Sequence, residues 1–421
     1  MRVLVLTRAP WRNDNNTGNT LTNFFCEMNN LEFYNLYLRD QLPDNNITVR
    51  SFSISERQLV NNLIKRTPVG KEVFEKDKSD NKAEENLYSF AKKKGNMFLM
   101  WLRDVLWSVG RWKNDSLKNF IQEINPDVIF MPMFCCVYPY KILHFIRKFT
   151  TANIILFHPD DNYTLKQFSF SPIYWIYRFN LRKWVRKTVK VSDVNYAISN
   201  IQKEEYEKTF DKPFKILTKG LDFSEEPKCK LEYNKPLQLV FTGNIGVNRW
   251  KSLAIIAETL KEINADGIKA QMKIYTATPI TPKLEKTLNV EGASEIMGFV
   301  ESSKVAEIQL NADMLIHVEA MDLKNKLLVR QSFSTKIVDY LKSARPILAV
   351  GPKDVASIDH LIRNGCAITA DNKEELKGKL LTYINDTNKM TDLALNGYDC
   401  GKKFHDNQSI KQMLYDDILS I

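Results

Sequence analysis

Short apolar runs recur along the chain with amphipathic stretches between them, and this alternation sets the fold class. In the first half, residues 3–6, 47–52, 127–131, 154–157 and 193–198 are rich in aliphatic and β-branched side chains. Runs of this length suit strands buried on both faces, and the helical stretches between them predict crossovers in a parallel sheet. A second series at residues 237–243, 272–275, 295–299, 313–317 and 347–350 repeats the pattern. The class is therefore α/β, with two domains. Residues 219–236 carry Gly220, Pro227 and Pro236 among charges, a linker composition that separates a domain at 1–218 from one at 237–402. A basic helical insertion is expected at about 55–112. At the end, Ile410, Met413, Leu414, Ile418 and Leu419 fall at helical spacing, so 403–421 reads as an amphipathic terminal helix.

Composition supports this reading. The chain has 421 residues, 44% of them apolar and 11% aromatic, enough for two cores. Charge is lopsided: up to residue 218 there are 33 Lys and Arg against 23 Asp and Glu, and beyond it 27 against 27. The whole net charge of +10 thus lies in the first half, which points to a polyanionic surface as partner. Within residues 173–190 a helical wheel gathers Ile173, Tyr177, Leu181 and Trp184 on one side. Arg178, Arg182, Arg186 and Lys190 line the other, a pattern that suits an anionic membrane surface. Nucleic acid is not expected, because these basic residues follow no binding motif. No apolar run approaches the roughly 20 residues needed to span a bilayer. The six cysteines are dispersed and lack C-x-x-C spacing, which fits a reducing cytoplasm. The expected location is cytoplasmic, with peripheral attachment to the inner face of a membrane.

Several segments carry candidate chemistry. The loop at residues 13–20, with Gly18, follows the first strand and lets backbone approach a ligand. Gly243, Asn244 and Gly246 form a second glycine loop, and Arg249 and Lys251 behind it supply the positive charge that a diphosphate requires. Neither loop is a G-x-G-x-x-G or a Walker pattern. His158, Asp160 and Asp161 follow a buried strand, where open α/β sheets place ligand contacts; the same residues also read as a capped turn. Ser334, Thr335 and Lys336 put hydroxyls, backbone N–H groups and a cation at a helix start, and Asp339 lies one turn on. The remaining histidines are isolated, so no metal site is expected.

Together these residues resemble the GT-B glycosyltransferases, and within them glycosyltransferase family 4, along essentially the whole chain. Phe241-Thr-Gly-Asn-Ile-Gly with Arg249 is similar to the start of that family's donor domain. Gly298-Phe299-Val300 resembles its loop beside the nucleotide base. Ser334-Thr-Lys-Ile-Val-Asp-Tyr-Leu with Arg345-Pro-Ile-Leu-Ala resembles its segment of helix start and buried strand. The resemblance implies two Rossmann-like, doubly wound domains facing a cleft, with the terminal helix crossing back to the first. It implies transfer of a sugar from a nucleotide-sugar to a lipid-linked or surface-polysaccharide acceptor, with retention and without metal or other cofactor. Arg249 and the Gly243–Gly246 backbone would stabilise the departing diphosphate. Ser334, Thr335 and Lys336 would hold its phosphates, Asp339 the ribose, Gly298 and Phe299 the base, and His158 the sugar.

The pattern also departs from the family. Its paired glutamates are Gln331 and Asp339 here, and Asn244 stands where an arginine is usual. An inverting transferase with Asp160, Asp161 or His158 as base, a nucleotide-sugar epimerase, and a non-catalytic glycan- or nucleotide-sugar-binding scaffold are the alternatives that these departures leave open.

Overall fold

A computed structural model describes residues 1–74 and 97–421, in two compact units. The first comprises Met1–Ile198, Gln202–Leu217 and Ile410–Ile421; the second comprises Ser199–Ile201 and Thr218–Ser409. Residues 219–236, read above as a linker, lie in the second unit, where Phe223 is buried and Arg345 donates to the Lys228 carbonyl at 2.8 Å.

The first unit is built on strands β1 (Arg2–Thr7), β2 (Glu32–Tyr37), β3 (Thr48–Ser53), β4 (Lys71–Val73), β5 (Val128–Pro132), β6 (Asn153–His158), β7 (Val194–Ala197) and β8 (Lys215–Ile216). Their order in the sheet is β4-β3-β2-β1-β5-β6-β7-β8, parallel except for β4 against β3. Alternate side chains of each strand go to opposite faces, and both faces are covered. Leu4, Leu6, Ile129, Met131 and Leu156 feed one core, whereas Val3, Val5, Val128, Phe130 and Ile155 feed the other.

Two features of this unit differ from the sequence reading. Strand β2 was not expected, because Glu32 and Asn35 interrupt its apolar run. Asn35 is nonetheless fully buried and satisfied, donating to the Val5 carbonyl at 2.9 Å and accepting from the Trp11 N–H at 3.2 Å. The region expected as a helical insertion contributes helices Glu56–Lys65 and Met97–Val109 and the antiparallel edge strand β4; its lysines at 76, 78, 82 and 92–94 lie outside the described residues.

The long helix Pro172–Lys190 corrects a further expectation. Tyr177 and Leu181 are buried as the wheel predicts, but the arginine stripe is drawn towards the protein: Arg178 is buried and Arg182 half-buried, while Arg186 stays exposed at one side. Arg178 is buried and pairs with Asp161 at 3.0 Å, also donating to the Thr164 carbonyl. Arg182 donates to the Tyr163 carbonyl and lies over its ring, and Arg186 reaches the Tyr163 hydroxyl. A buried carboxylate and a buried tyrosine outcompete solvent for these guanidinium groups.

At the end of the chain, Thr387–His405 and Asn407–Leu419 are separate helices, with Asp406 accepting from the Ser409 N–H at the break. Ile410, Leu414 and Ile418, four residues apart, bury one stripe in the second core of the first unit beside Phe24 and Phe130. Asp417 accepts from Tyr196 and Lys215, and Lys411 pairs with Glu27.

The second unit holds strands β9 (Leu237–Thr242), β10 (Ala270–Tyr275), β11 (Ser294–Gly298), β12 (Met314–Val318), β13 (Ile347–Val350) and β14 (Ile368–Ala370). All are parallel, in the order β11-β10-β9-β12-β13-β14. This is a Rossmann-type order, in which strand succession reverses between β9 and β12.

Leu414 is fully buried, so Leu414→Ala should cost about 2–5 kcal/mol of stability, read from urea unfolding. Substitution of the exposed Leu419 by Ala should leave the midpoint nearly unchanged.

Candidate functional site

The reversal between β9 and β12 leaves a gap beyond their carboxyl ends, the position where open α/β sheets bind ligands. Thr242 ends β9, and the chain leaves through Gly243 at φ 144°. A side chain here would overlap the Lys336 ammonium, so glycine is required for the lysine to approach. Lys336 opens the helix Lys336–Lys342, donates to the Thr242 carbonyl at 3.2 Å, and lies 5.4 Å from the centre of the Phe241 ring.

Arg249 reaches the same place from the other side. It begins the helix Arg249–Ile263, which follows two residues in left-handed conformation, Val247 at φ 56° and Asn248 at φ 60°. A β-branched residue seldom adopts that conformation. The turn is held by Asn248, which donates to Asp322 at 2.9 Å. Local strain secured by a tertiary hydrogen bond is characteristic of functional loops. The guanidinium of Arg249 pairs with Glu319 at 3.0 Å, and Ser252 on the next turn donates to the Glu319 carbonyl at 2.7 Å.

Glu319 is 3% exposed and has His317 Nε2 3.4 Å from its carboxylate. Burial alone would raise its pKa, but the neighbouring His317 and Arg249 together hold it below the ordinary value. Lys336 is shifted downward, by burial first and then by the charge of Arg249; Glu319 and Asp339 counter this only in part. Arg249 is thus ion-paired with the buried Glu319, while Lys336 bonds the Thr242 carbonyl and feels the guanidinium through space, so two cations are brought together at the strand ends. Such an arrangement favours a dianionic ligand such as a diphosphate.

The cluster unites three of the sequence candidates, Gly243, Arg249 and Lys336. Lys251 is exposed and acts instead on Asp322. Asn244 is exposed and accepts from the Gly246 N–H at 2.6 Å. Gly298, at φ 81°, ends β11, and Phe299 beside it is 72% exposed. Thr335 is the N-cap of the Lys336 helix without a side-chain cap bond, and the Ser334 N–H is taken by the Ser357 hydroxyl at 3.0 Å. Asp339 pairs with Lys219 at 3.2 Å, and Gln331 is buried with its carbonyl accepting from Ser199.

Glu319 and Thr242 were not expected from sequence. The available signal was a carboxylate immediately after the apolar strand Met314–Val318, together with His317 two residues before it. His317, one of the histidines isolated in sequence, is part of the cluster.

The remaining candidates lie in the first unit. Gly18 falls inside the helix Asn16–Phe25, and the backbone that approaches it closely is that of Arg12. Asp160 is exposed, whereas the Asp161 side chain is buried against Arg178 and accepts from the Tyr163 and Thr164 N–H groups, a capped turn. His158 is fully buried between the rings of Tyr206 and Phe214, and neither ring nitrogen has a hydrogen-bond partner. Burial lowers its pKa to about 3. Among the described residues, no group of three or more His, Cys, Asp or Glu is placed to hold a metal ion.

Solved structures share this architecture. Anabaena Alr3699/HepE in complex with UDP superposes with a TM-score of 0.65 at 12% identity, covering 100% of both chains. The E. coli trehalose-6-phosphate protein bound with UDP-2-fluoro glucose gives 0.60 at 11% identity, covering 100% of this chain and 99% of that one. Sucrose-phosphate synthase from Thermosynechococcus elongatus gives 0.59 at 10% identity, again over the whole of both chains. No protein-family model and no curated protein matches the sequence. At these identities the likeness establishes the fold, which is GT-B with two Rossmann-like units.

Two predictions follow from the buried groups. Unfolded chain takes up a proton at histidine below about pH 6.5 that native His158 refuses until about pH 3. Its stability contribution is therefore complete above pH 6.5 and is lost as pH falls towards 3. In His158→Phe the fall of the urea midpoint between pH 7 and pH 4 should be shallower than in wild type. At the cation cluster, Lys336→Met removes one of two like charges. Thermal unfolding of the unliganded protein should occur no lower than in wild type, while calorimetric affinity for inorganic pyrophosphate falls at least about tenfold.

Proposed function

We propose that the protein is a glycosyltransferase that takes a sugar from a nucleotide-sugar bound at the carboxyl ends of β9 and β12. The observation that carries this reading is the pair of cations, Arg249 and Lys336, brought together where strand order reverses, with Arg249 anchored by Glu319 and Lys336 by the Thr242 carbonyl. Leaving of a nucleoside diphosphate develops negative charge on its phosphate oxygens. Fixed cations in a partly buried site stabilise that charge without reorganising at the moment of reaction.

In this mechanism Gly243 makes room for the Lys336 ammonium, and the diphosphate lies with its oxygens on Lys336 and Arg249. Glu319 does not contact the donor; it orients Arg249 through their ion pair. Gly298 and Phe299 flank the nucleotide base, and Asp339 exchanges Lys219 for the ribose hydroxyls. As the glycosidic bond to phosphate breaks, the incoming acceptor hydroxyl attacks the anomeric carbon and its proton passes to the departing phosphate oxygen. Attack from the leaving-group face retains the anomeric configuration. The two side-chain cations supply positive charge that other enzymes take from a metal. The acceptor class is a lipid-linked or surface-polysaccharide precursor, and the basic first unit is compatible with either.

Because the similar Anabaena and E. coli proteins carry UDP or a UDP-sugar, uridine nucleotides are the first to test. With a panel of nucleotide-sugars, one should release its nucleoside diphosphate on incubation, and that diphosphate should raise the melting temperature. Arg249→Ala and Lys336→Ala should each lose about 2–4 kcal/mol of transition-state stabilisation in kcat/KM. Near-normal turnover in both variants would remove the site from the mechanism. Proton NMR of the first product formed should show the donor's anomeric configuration.

A further inference from the structure

With Arg178 buried and Arg182 drawn to Tyr163, the open face of Pro172–Lys190 is a neighbouring one. Exposed positions run Ile173, Ile176, Asn180, Lys183, Lys187 and Lys190, at alternating steps of three and four. This is one side of the helix, apolar at its start and cationic at its end. The preceding loop extends the apolar end: Phe170 is 90% exposed and packs edge-on against the exposed Phe168, while Ile176 is 68% exposed and Phe179 stands beside it. Large aromatic and aliphatic side chains this open are costly in water unless something covers them.

The neighbouring helices continue the feature. Met97–Val109 packs against both Pro172–Lys190 and Glu56–Lys65. Trp101 and Leu102 are exposed on the first of these, Leu63 and Ile64 on the last, with Ile64 at 73%. At the cationic end, Trp184 carries Lys141 and Lys187 over its ring, an aromatic held among ammonium groups. Between Asn162 and Ser192 the chain has seven Lys and Arg and no Asp or Glu. No described helix is long and apolar enough to cross a membrane.

We propose that this face of the first unit is a docking surface for an anionic lipid bilayer, with Phe168, Phe170, Ile173, Ile176 and Phe179 entering the interface and Lys183, Lys187 and Lys190 meeting headgroup phosphates. Two properties favour a bilayer over a protein partner. The apolar residues project into solvent from helix surfaces and a loop, and the exposed Lys183, Lys187 and Lys190 lie on a helix that carries no Asp or Glu, matching a uniform layer of negative charge. The surface belongs to the first unit alone, so it stands independently of the chemistry assigned to the second.

The test is cosedimentation of the full chain with vesicles of phosphatidylcholine, with and without phosphatidylglycerol. Wild type should bind the anionic vesicles and not the neutral ones, and added salt should weaken binding. Lys183→Gln/Lys187→Gln/Lys190→Gln should bind about 100-fold more weakly, from the usual contribution per basic residue at a charged surface. Phe170→Ser/Ile176→Ser/Phe179→Ser should not bind, while circular dichroism and melting temperature confirm that it folds. If wild type ignores anionic vesicles, or if both variants bind as wild type does, the proposal fails. It also fails if the apolar variant abolishes a lipid-free dimer seen by ultracentrifugation and wild-type vesicle binding is absent, since the face is then a contact between copies.

Discussion

Two cations brought together at the end of a parallel sheet, one paired with a buried carboxylate and the other with a backbone carbonyl, is the constraint around which the second unit is arranged. Lys336 and Arg249 repel each other, and burial disfavours the Lys336 charge, yet they are held together. Folding tolerates this because Glu319 cancels part of the charge and because Thr242 offers its carbonyl to the ammonium. Everything around the cluster can be read as support for that unfavourable juxtaposition.

The supports come from distant points in sequence. Gly243 lacks the atom that would push Lys336 away. The left-handed turn at Val247 and Asn248 sets the start of a helix so that Arg249 points back over the strand ends, and Asp322 fixes the turn. Glu319 is tied at its carbonyl by Ser252, on the same helix that carries Arg249, so carboxylate and guanidinium are registered to one another. Thr242 is itself placed by Gln309, whose amide donates to its hydroxyl at 2.9 Å. The first unit has the same strand succession around β1 and β5, but its buried histidine has no polar partner and serves packing between Tyr206 and Phe214. Similar topology therefore gives an electrostatic centre in one unit and an apolar one at His158 in the other.

Much of the fold was legible because parallel strands buried on both faces must be apolar at nearly every position. That is why the strands around residues 3–6, 127–131, 237–242 and 347–350 were plain. Strand β2 was not, since Asn35 is satisfied by Val5, Thr7 and Trp11, groups unknown until the chain is folded. Short strands such as Ile368–Ala370 carry too few residues for a pattern. At the candidate site, Gly243, Arg249 and Lys336 stood out by residue type and by position after a strand or at a helix start. Glu319 did not, because an acid after a strand becomes informative only when its cationic partner is in place. The helical wheel for residues 173–190 found the buried Tyr177 and Leu181 but assigned the arginines to an anionic membrane surface, because a wheel has no knowledge of Asp161 or Tyr163.

Local chemistry and periodicity alone determined the class of fold, the two-part organisation and the one-sided charge. These depend on side-chain character and spacing within a few residues, which the chain carries wherever it goes. Tertiary structure decided which charges meet and which face of a helix stays wet. Arg249 and Glu319 are 70 residues apart and Arg178 and Asp161 are 17 apart, and whether a cation faces a carboxylate, a ring or solvent depends on how sheets and helices close around it. Pairing energies in a partly buried site exceed the preference of a single side chain for water, so the folded arrangement has the final say.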